Sequence, residues 1–205
     1  MQTGPNKEKQ ERTRRKLQDS FMKLYKKCPL EKITVRQVAA EAGVTRSTFY
    51  VYYDSVYSVL EAIECELQSG LGAYFEQYSG DILEKNPLEP YNSNIKWFEY
   101  CRGHRDYLRV LLGPTGDPSF EYKLRKQLKV DINRMMDEDG MLNDYLRKYV
   151  VEYVVGATLS LMRYWLESDE DLSAEEIAVV ANLIRQSKVV VDTIHGDDAS
   201  DGKNN

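Results

Sequence analysis

The most informative segment of this chain is TVRQVAAEAGVTRSTFYVYY, residues 34–53. Thr34 followed by Gln37 is a capping-box pattern, which predicts a helix that begins after Thr34. Gly43 supplies the permissive backbone that ends this helix after about two turns, and Thr45 is a suitable cap for a second short helix. Two short helices joined by Ala-Gly-Val have the proportions of a helix-turn-helix.

The second short helix is predicted to be anchored on one face and polar on the other. Phe49 is expected to pack against Leu24 and Val38. A helix of about seven residues is about 10 Å long, which suits end-on insertion into a DNA major groove about 12 Å wide. Arginine can donate two hydrogen bonds to guanine, and hydroxyl groups can contact bases or phosphates. The residues predicted to face DNA are Thr45, Arg46, Ser47, Thr48 and Tyr50, with Tyr50 and Tyr52 expected to clamp phosphates.

The distribution of charge agrees with a DNA-binding N-terminal region. The first 60 residues contain 12 Lys and Arg against 6 Asp and Glu, a net +6, whereas the remainder contains 16 against 27, a net −11. A basic N-terminal third on an acidic body is expected of a nucleic-acid-binding head attached to a regulatory or assembly domain. Charge alone leaves open the alternative of a chance imbalance of surface residues.

The composition is that of an ordinary globular protein, with 42% hydrophobic and 30% charged residues. No run approaches the roughly 18 uncharged residues needed to span a membrane, and the N-terminus lacks a signal-peptide pattern, so a cytoplasmic location is expected. Three cysteines without a CxxC pair argue against a disulfide framework. Together with only two histidines, they offer no recognisable metal-ligand spacing, so neither a metal nor another cofactor is expected.

Apolar residues recur three and four positions apart along the whole chain, which predicts an all-α fold. A first helix is expected at residues 7–27, and a fourth near residue 54 or 55, with a bend or joint where Gly70 and Gly72 interrupt it. Cap patterns at Asp117 and Ser173 support two later helix starts. The further helices are predicted at residues 93–102, 104–112, 118–137, 142–167 and 174–194.

The segment NDYLRKYVVEYVVGATLSLMRYWL, residues 143–166, is apolar on more than one face. Such a helix is expected to lie between two other layers. One predicted stripe consists of Leu146, Val150, Tyr153, Ala157, Leu161 and Tyr164. With the last helix, this segment is predicted to supply half of a four-helix bundle completed by a second subunit. The alternative, two internal core helices of a monomer, stays open.

The opening stretch, preceded by TRRKL and followed by VYSVLEAI, resembles the DNA-binding head of the TetR family of bacterial transcription regulators. The resemblance covers roughly residues 12–65 and includes the Ala-Gly-Val turn and the Phe-Tyr-x-Tyr-Tyr ending. Where the family usually has a lysine at the start of the fourth helix, this chain has Val56, so affinity is expected to lean more on Arg12 and Arg14. The DNA contacts that the resemblance implies are Thr34, Arg36, Thr45, Arg46, Ser47, Thr48, Tyr50 and Tyr52.

The resemblance implies a helix-turn-helix head at residues 7–54, a larger helical regulatory and dimerisation domain at 55–194, and a disordered tail at 195–205. It implies a homodimer that binds a near-palindromic operator, most simply as a repressor controlled by an effector. The segment YLRVLLGPTGDPSFEYKL is similar to a C-terminal region in a branch that includes regulators of dihydroxyacetone kinase operons. Some members of that branch are activators that work with a protein co-regulator. A further alternative is an interaction protein that has lost effective DNA binding.

Aromatic residues of the larger domain are candidates for an effector pocket, although aromatics at helical spacing also pack in cores. The candidate pocket residues are Trp97, Tyr100, His104, Tyr107, Phe120, Tyr149 and Tyr153. Enzymatic activity is not expected, because His104 has no accompanying serine or cysteine motif and GPTGDPS lacks the Gly-Lys-Ser/Thr ending of a phosphate-binding loop.

Overall fold

The structure is a computed structural model that describes residues 5–77, 92–114, 116–138 and 143–185. All regular structure in these ranges is helical, which confirms the predicted all-α fold. None of the described helices is long and apolar enough to cross a membrane. Besides a 3₁₀ turn at Leu30–Lys32, the helices are α1 Pro5–Tyr25, α2 Val35–Glu41, α3 Arg46–Tyr52, α4 Val56–Gln77, α5 Asn92–Gly103, α6 Arg105–Leu111, α7 Pro118–Glu138, α8 Arg147–Glu167 and α9 Ala174–Arg185.

Local capping interactions fix several helix starts where the sequence predicts them. At α9, the backbone N–H of Glu176 donates to the Ser173 hydroxyl at 3.2 Å, and the Glu176 carboxylate accepts the Ser173 N–H at 2.7 Å. These hydrogen bonds hold the pKa of Glu176 below its usual range. At α7, Asp117 accepts the N–H of Ser119 at 2.8 Å, and Pro118 occupies the first helical position.

The start of α8 differs from the prediction of a helix over residues 142–167. The helix begins at Arg147, and residues 144–146 form a turn. Asp144 Oδ1 accepts the backbone N–H groups of Leu146 at 2.8 Å and Arg147 at 3.1 Å. An aspartate side chain that binds the backbone in this way competes with helix formation, so the turn delays the helix. Residues 186–194 of the predicted last helix lie outside the described residues.

The chain divides into two compact units. The first comprises the residues up to Ser69 together with Val110–Phe120, and the second comprises Gly70–Arg109 together with the residues from Glu121 onward. The sequence placed a boundary after residue 54; the separation of a DNA-binding domain from a regulatory domain stays a prediction. The α4 helix runs unbroken through Gly70 and Gly72, and the boundary between the units falls within it, directly before Gly70. The predicted tail at 195–205 lies outside the described residues.

The core of the second unit lies where α5, α8 and α9 pack together. The ring of Phe98 meets that of Trp165 edge-on at 5.7 Å between centroids. Cys101 on α5 is fully buried, with its Sγ 3.7 Å from Met162 Sδ on α8. Burial raises the pKa of the Cys101 thiol well above its usual range, so this cysteine is a protonated core residue.

Candidate nucleic-acid interface

The turn between α2 and α3 depends on a capped start and a left-handed glycine. Thr34 Oγ1 accepts the N–H of Gln37 at 3.3 Å, while Gln37 Oε1 accepts the N–H of Thr34 at 2.9 Å, which completes the predicted capping box. Gly43 has φ of +66°, a conformation that favours glycine. Val44 N–H then binds the Ala39 carbonyl at 2.9 Å and directs the chain into α3.

The start of α3 is fixed by two threonines. Thr45 Oγ1 accepts the N–H of Thr48 at 3.1 Å, and the two hydroxyl oxygens lie 2.9 Å apart. Thr45 is exposed and Thr48 is half-buried. Both are thus cap residues of the helix, and an additional contact of either hydroxyl with DNA stays a prediction.

The seven residues of α3 divide into an anchored side and an exposed side. Phe49 is completely buried, while Arg46 and Ser47 in the first turn are exposed. Tyr50 leaves half of its surface exposed and meets the Phe49 ring edge-on at 5.7 Å between centroids. Arg46 forms no ion pair with another of the described residues. The burial of Phe49 and the exposure of Arg46, Ser47 and Tyr50 agree with the predicted faces of the helix. The guanidinium of Arg46 is free to bind another molecule.

The second predicted tyrosine, Tyr52, lies in a different environment. It is half-buried and, with the exposed Val51, lines a surface groove of about 620 Å³ against α1. The α1 side of this groove is formed by Lys7, Glu8, Gln10, Glu11 and Arg14. Because the groove contains two acidic and two basic side chains, it does not form a uniformly cationic surface. Val51 and Lys7 were not among the predicted site residues, because Val51 is the variable position of the Phe-Tyr-x-Tyr-Tyr ending and Lys7 precedes the recognisable stretch.

The structure also shows the surroundings of Thr34 and Arg36, the two DNA contacts predicted near the start of α2, and of Val56, which replaces the usual lysine. Thr34 and Arg36 are both exposed at the start of α2. Val56 begins α4 and is 7% exposed, so its side chain belongs to the core of the first unit, whereas the adjacent Tyr57 is 57% exposed. The first residue of α4 therefore contributes packing and no cation.

The seven candidate effector residues lie in different environments. Trp97 and Tyr107 are buried, and Phe120 is buried in the first unit rather than the second. Tyr149 and Tyr153 are more than half exposed on α8. A groove of about 430 Å³ in the second unit is lined by none of the seven; its residues are Ile95, Glu99, Arg102, Gly103, Ser173, Ala174 and Glu175.

The structure does bring two of the candidate effector residues together. The rings of Tyr100 and His104 stack at 4.1 Å between centroids. An effector contact at this pair stays a prediction. Among the described residues, no group of three or more His, Cys, Asp or Glu side chains is arranged to hold a metal ion.

Comparisons with known proteins agree with this geometry. Residues 22–63 match the family model described as "Bacterial regulatory proteins, tetR family", and residues 89–186 match that described as "Transcriptional regulator C-terminal region". The uncharacterised HTH-type transcriptional regulator YxbF of Bacillus subtilis is 23% identical over 168 residues, which cover 79% of this chain and 42% of the relative. The chain thus spans less than half the length of that relative.

Solved structures share the fold at low sequence identity. A TetR transcriptional regulator from Streptococcus agalactiae superposes with a TM-score of 0.59 at 20% identity, covering 87% of this chain and 96% of that one. The dihydroxyacetone kinase operon activator DhaS superposes with a TM-score of 0.53 at 16% identity, covering 86% and 97%. The two matching family models identify the chain as a member of the TetR family of DNA-binding transcriptional regulators, which are not enzymes, and the capped helix-turn-helix and the shared fold agree with them.

Proposed function

We propose that this regulator is a repressor that binds a near-palindromic operator as a homodimer and responds to an effector bound by its second compact unit. The observation that carries the proposal is the first turn of α3, where Arg46 and Ser47 are exposed while Phe49 anchors the helix. Such binding requires access to the chromosome, which is consistent with a cytoplasmic protein.

In this proposal α3 enters the major groove and Arg46 reads a guanine. A seven-residue helix is about 10 Å long, and the guanidinium can donate two hydrogen bonds to guanine O6 and N7. Ser47 and Tyr50, which flank it on exposed surface, contact neighbouring bases or phosphates. Thr34 and Arg36 at the start of α2 bind the sugar-phosphate backbone, which positions the head without reading sequence.

The exposed side of α8 supports the homodimer. Large aromatic side chains are exposed along one side of this helix and the turn before it, which is unusual for the surface of a monomer. The small residues Gly156 and Ala157 lie between them in sequence and let another helix approach closely. The exposed tyrosines are Tyr145, Tyr149, Tyr153 and Tyr164, and α9 adds Val180 and Leu183, which are 38% and 44% exposed. A second copy that covers this surface would complete a four-helix bundle.

Two alternatives have observations of their own. The similarity of the fold to DhaS, an operon activator, favours an activator that works with a protein co-regulator. The burial of Val56, which leaves α4 without a cation at its first residue, favours an interaction protein with weak DNA binding. The first alternative differs from the proposal in the sign of regulation, and the second in the affinity for DNA.

One experiment separates these possibilities. The purified chain selects duplexes from a random-sequence DNA library, and fluorescence anisotropy then measures the affinity for the enriched duplex and for its scrambled form at two salt concentrations. Selective binding that weakens steeply with salt is expected, because phosphate contacts release counterions. Failure to enrich any sequence would refute the DNA-reading role. Transcription in vitro from a promoter carrying the selected site then distinguishes repression from activation.

A further inference from the structure

The acidic and basic side chains of α1 are separated around the helix. The acidic residues of α1 are Glu8, Glu11 and Asp19. Glu8 and Glu11 line the groove that α1 shares with the end of α3. Asp19 forms an ion pair with Arg15, with 3.7 Å between Oδ1 and Nε. Each acidic side chain of this helix therefore either faces the groove or is paired within the helix.

Most of the basic side chains of α1 are engaged as well. Lys7 and Arg14 line the same groove. Arg15 is the partner of the aspartate just described, and Lys23 Nζ lies 3.6 Å from Glu41 Oε1 on α2. These contacts leave a smaller set of basic residues that the first compact unit does not use.

That set forms a basic stripe on α1, which consists of Lys9, Arg12 and Lys16. All three side chains are exposed, and none forms an ion pair within the part of the chain that the structure describes. Spacings of three and four residues make them neighbours on one side of the helix. At about 3.6 residues per turn, this side lies about half a turn from the side that carries Lys7 and Arg14. The basic stripe therefore faces away from the groove with α3.

The chemistry of the basic stripe favours a polyanion over a membrane surface. Large apolar side chains of α1 such as Leu17, Phe21 and Tyr25 are buried, so this side of the helix has nothing to insert among lipid chains. The stripe spans about 10 Å along the helix axis, whereas phosphates follow one another about every 3.4 Å along a DNA strand. Lysine and arginine bind such phosphates without reading sequence. The backbone of a nucleic acid thus matches the stripe in charge and in spacing.

We propose that the basic stripe binds the phosphate backbone of a second DNA duplex while α3 reads the operator. A duplex seated on α3 reaches α1 from the side of the groove, because the two helices form that groove together. An α-helix with its side chains is about 10–12 Å across, so the stripe lies on the far side of α1 from the operator. The regulator then links two segments of DNA. This inference rests on the proposed function, since the first duplex is the operator.

The test is the capture of a second duplex by protein that already occupies its operator. The biotinylated selected duplex is fixed to beads and saturated with protein, the excess is washed away, and the fluorescent scrambled duplex is added. We expect the wild type to retain the scrambled duplex at about 50 mM salt. Three phosphate contacts predict that this affinity falls about fortyfold between about 50 mM and 200 mM salt. Beads that carry the selected duplex without protein measure the background.

A charge-reversed variant, Lys9→Glu combined with Lys16→Glu, removes the basic stripe. It is expected to retain at least about tenfold less scrambled duplex, because two of the three contacts become repulsive. Its affinity for the selected duplex, measured by anisotropy, is expected to change by less than about threefold, because exposed charges more than about 8 Å away are screened at physiological salt.

The matched control makes the same change of charge on another helix. Lys123→Glu combined with Lys126→Glu reverses two exposed lysines of α7 and is expected to capture the scrambled duplex like the wild type. Circular dichroism and thermal unfolding of both double variants identify any loss of folding.

The outcomes are distinct. If the wild type binds the selected duplex but captures no scrambled duplex, or if the α1 variant captures as much as the wild type, the inference is overturned while operator binding stands. An equal loss of capture in the α7 control also overturns it, because total charge then explains the result. If the α1 variant loses affinity for the selected duplex, the stripe contacts the operator itself and not a second duplex. If the wild type binds no duplex selectively, the proposed function fails and this inference fails with it.

Discussion

The hydroxyl oxygens of Thr45 and Thr48 lie 2.9 Å apart, and Thr45 also accepts the backbone N–H of Thr48 at 3.1 Å. Both side chains therefore stabilise the beginning of α3. Arg46 and Ser47 lie between them in sequence, and both of these polar side chains are exposed. The cap thus fixes where α3 begins, while the burial of Phe49 sets which of its residues face outward. Removal of the cap is therefore expected to affect both stability and DNA binding.

Replacing Thr45 with alanine is expected to lower the free energy of unfolding by about 1 kcal/mol, because the first N–H groups of α3 lose their acceptor. Affinity for the selected duplex is expected to fall as well, since fraying of the first turn disperses the positions of Arg46 and Ser47. Urea unfolding and anisotropy measure the two effects. Thr45→Ser retains the hydroxyl and serves as the control; a serine variant as unstable as the alanine variant would contradict a capping role.

Replacing Arg46 with alanine is expected to cost about 1–3 kcal/mol in binding to the selected duplex and to relax the preference at one base position. The reason is that the guanidinium is exposed and has no ion-pair partner among the described residues. Anisotropy on duplexes with each base changed in turn locates the position. Lys126→Ala, which removes one exposed positive charge from α7, is the control. An equal loss on every duplex would reassign Arg46 to a phosphate contact.

Replacing Tyr153 with glutamate is expected to convert the proposed dimer into monomer, because a charge at the α8 surface would be buried without a partner. Sedimentation equilibrium measures the mass. Tyr122→Glu is the matched control, because Tyr122 is also an exposed tyrosine but lies on α7. Tyr122 is 69% exposed and Tyr153 is 56% exposed. A Tyr153→Glu protein with the mass of the wild type would show that the dimer, if it forms, uses another surface.

The capping box of α9 is expected to weaken in acid. Hydrogen bonds from Ser173 hold the pKa of Glu176 below its usual range in the folded chain. A carboxyl whose pKa is depressed by folding contributes its full stability above the unfolded pKa and loses it as the pH falls through the folded pKa. The difference in urea midpoint between the wild type and Glu176→Ala should therefore shrink on acidification. The difference in urea midpoint between Glu176→Gln and Glu176→Ala should stay constant with pH, because the amide does not titrate. If this difference shrank as much as that of the wild type, another group would be responsible for the pH dependence.

The features that the sequence predicted best are those determined within three or four residues. The caps at Thr34, Thr45 and Ser173 each need only a hydroxyl and the backbone of the following turn, so residue type and spacing suffice. The motif also indicated that Phe49 would be buried. The late start of α8 was missed because Asp144 binds the backbone in a turn that helical periodicity does not reveal.

The features that depend on tertiary packing could not be predicted. Tyr153 and Val150 were placed on one stripe of α8, yet Tyr153 is 56% exposed and Val150 is 8% exposed. A core residue and a residue at the proposed intersubunit surface can follow the same periodic pattern, so periodicity cannot separate them until the neighbouring helices are positioned. The effector candidates met the same difficulty, since aromatic side chains spread over 57 positions do not indicate which rings meet. The stack of Tyr100 on His104 became visible only in the structure.

The assignment of Val110–Phe120 to the first compact unit has a consequence for synthesis of the protein on the ribosome. Domains usually fold in order as the chain emerges, at about 5–20 residues per second. Here Leu111 and Phe120, which are 1% and 0% exposed, are delivered only after residues 70–109 have been made. A nascent chain that ends at Ser69 contains the whole helix-turn-helix but lacks part of the core of its unit. The first compact unit is therefore not complete until more than half of the polypeptide has been translated.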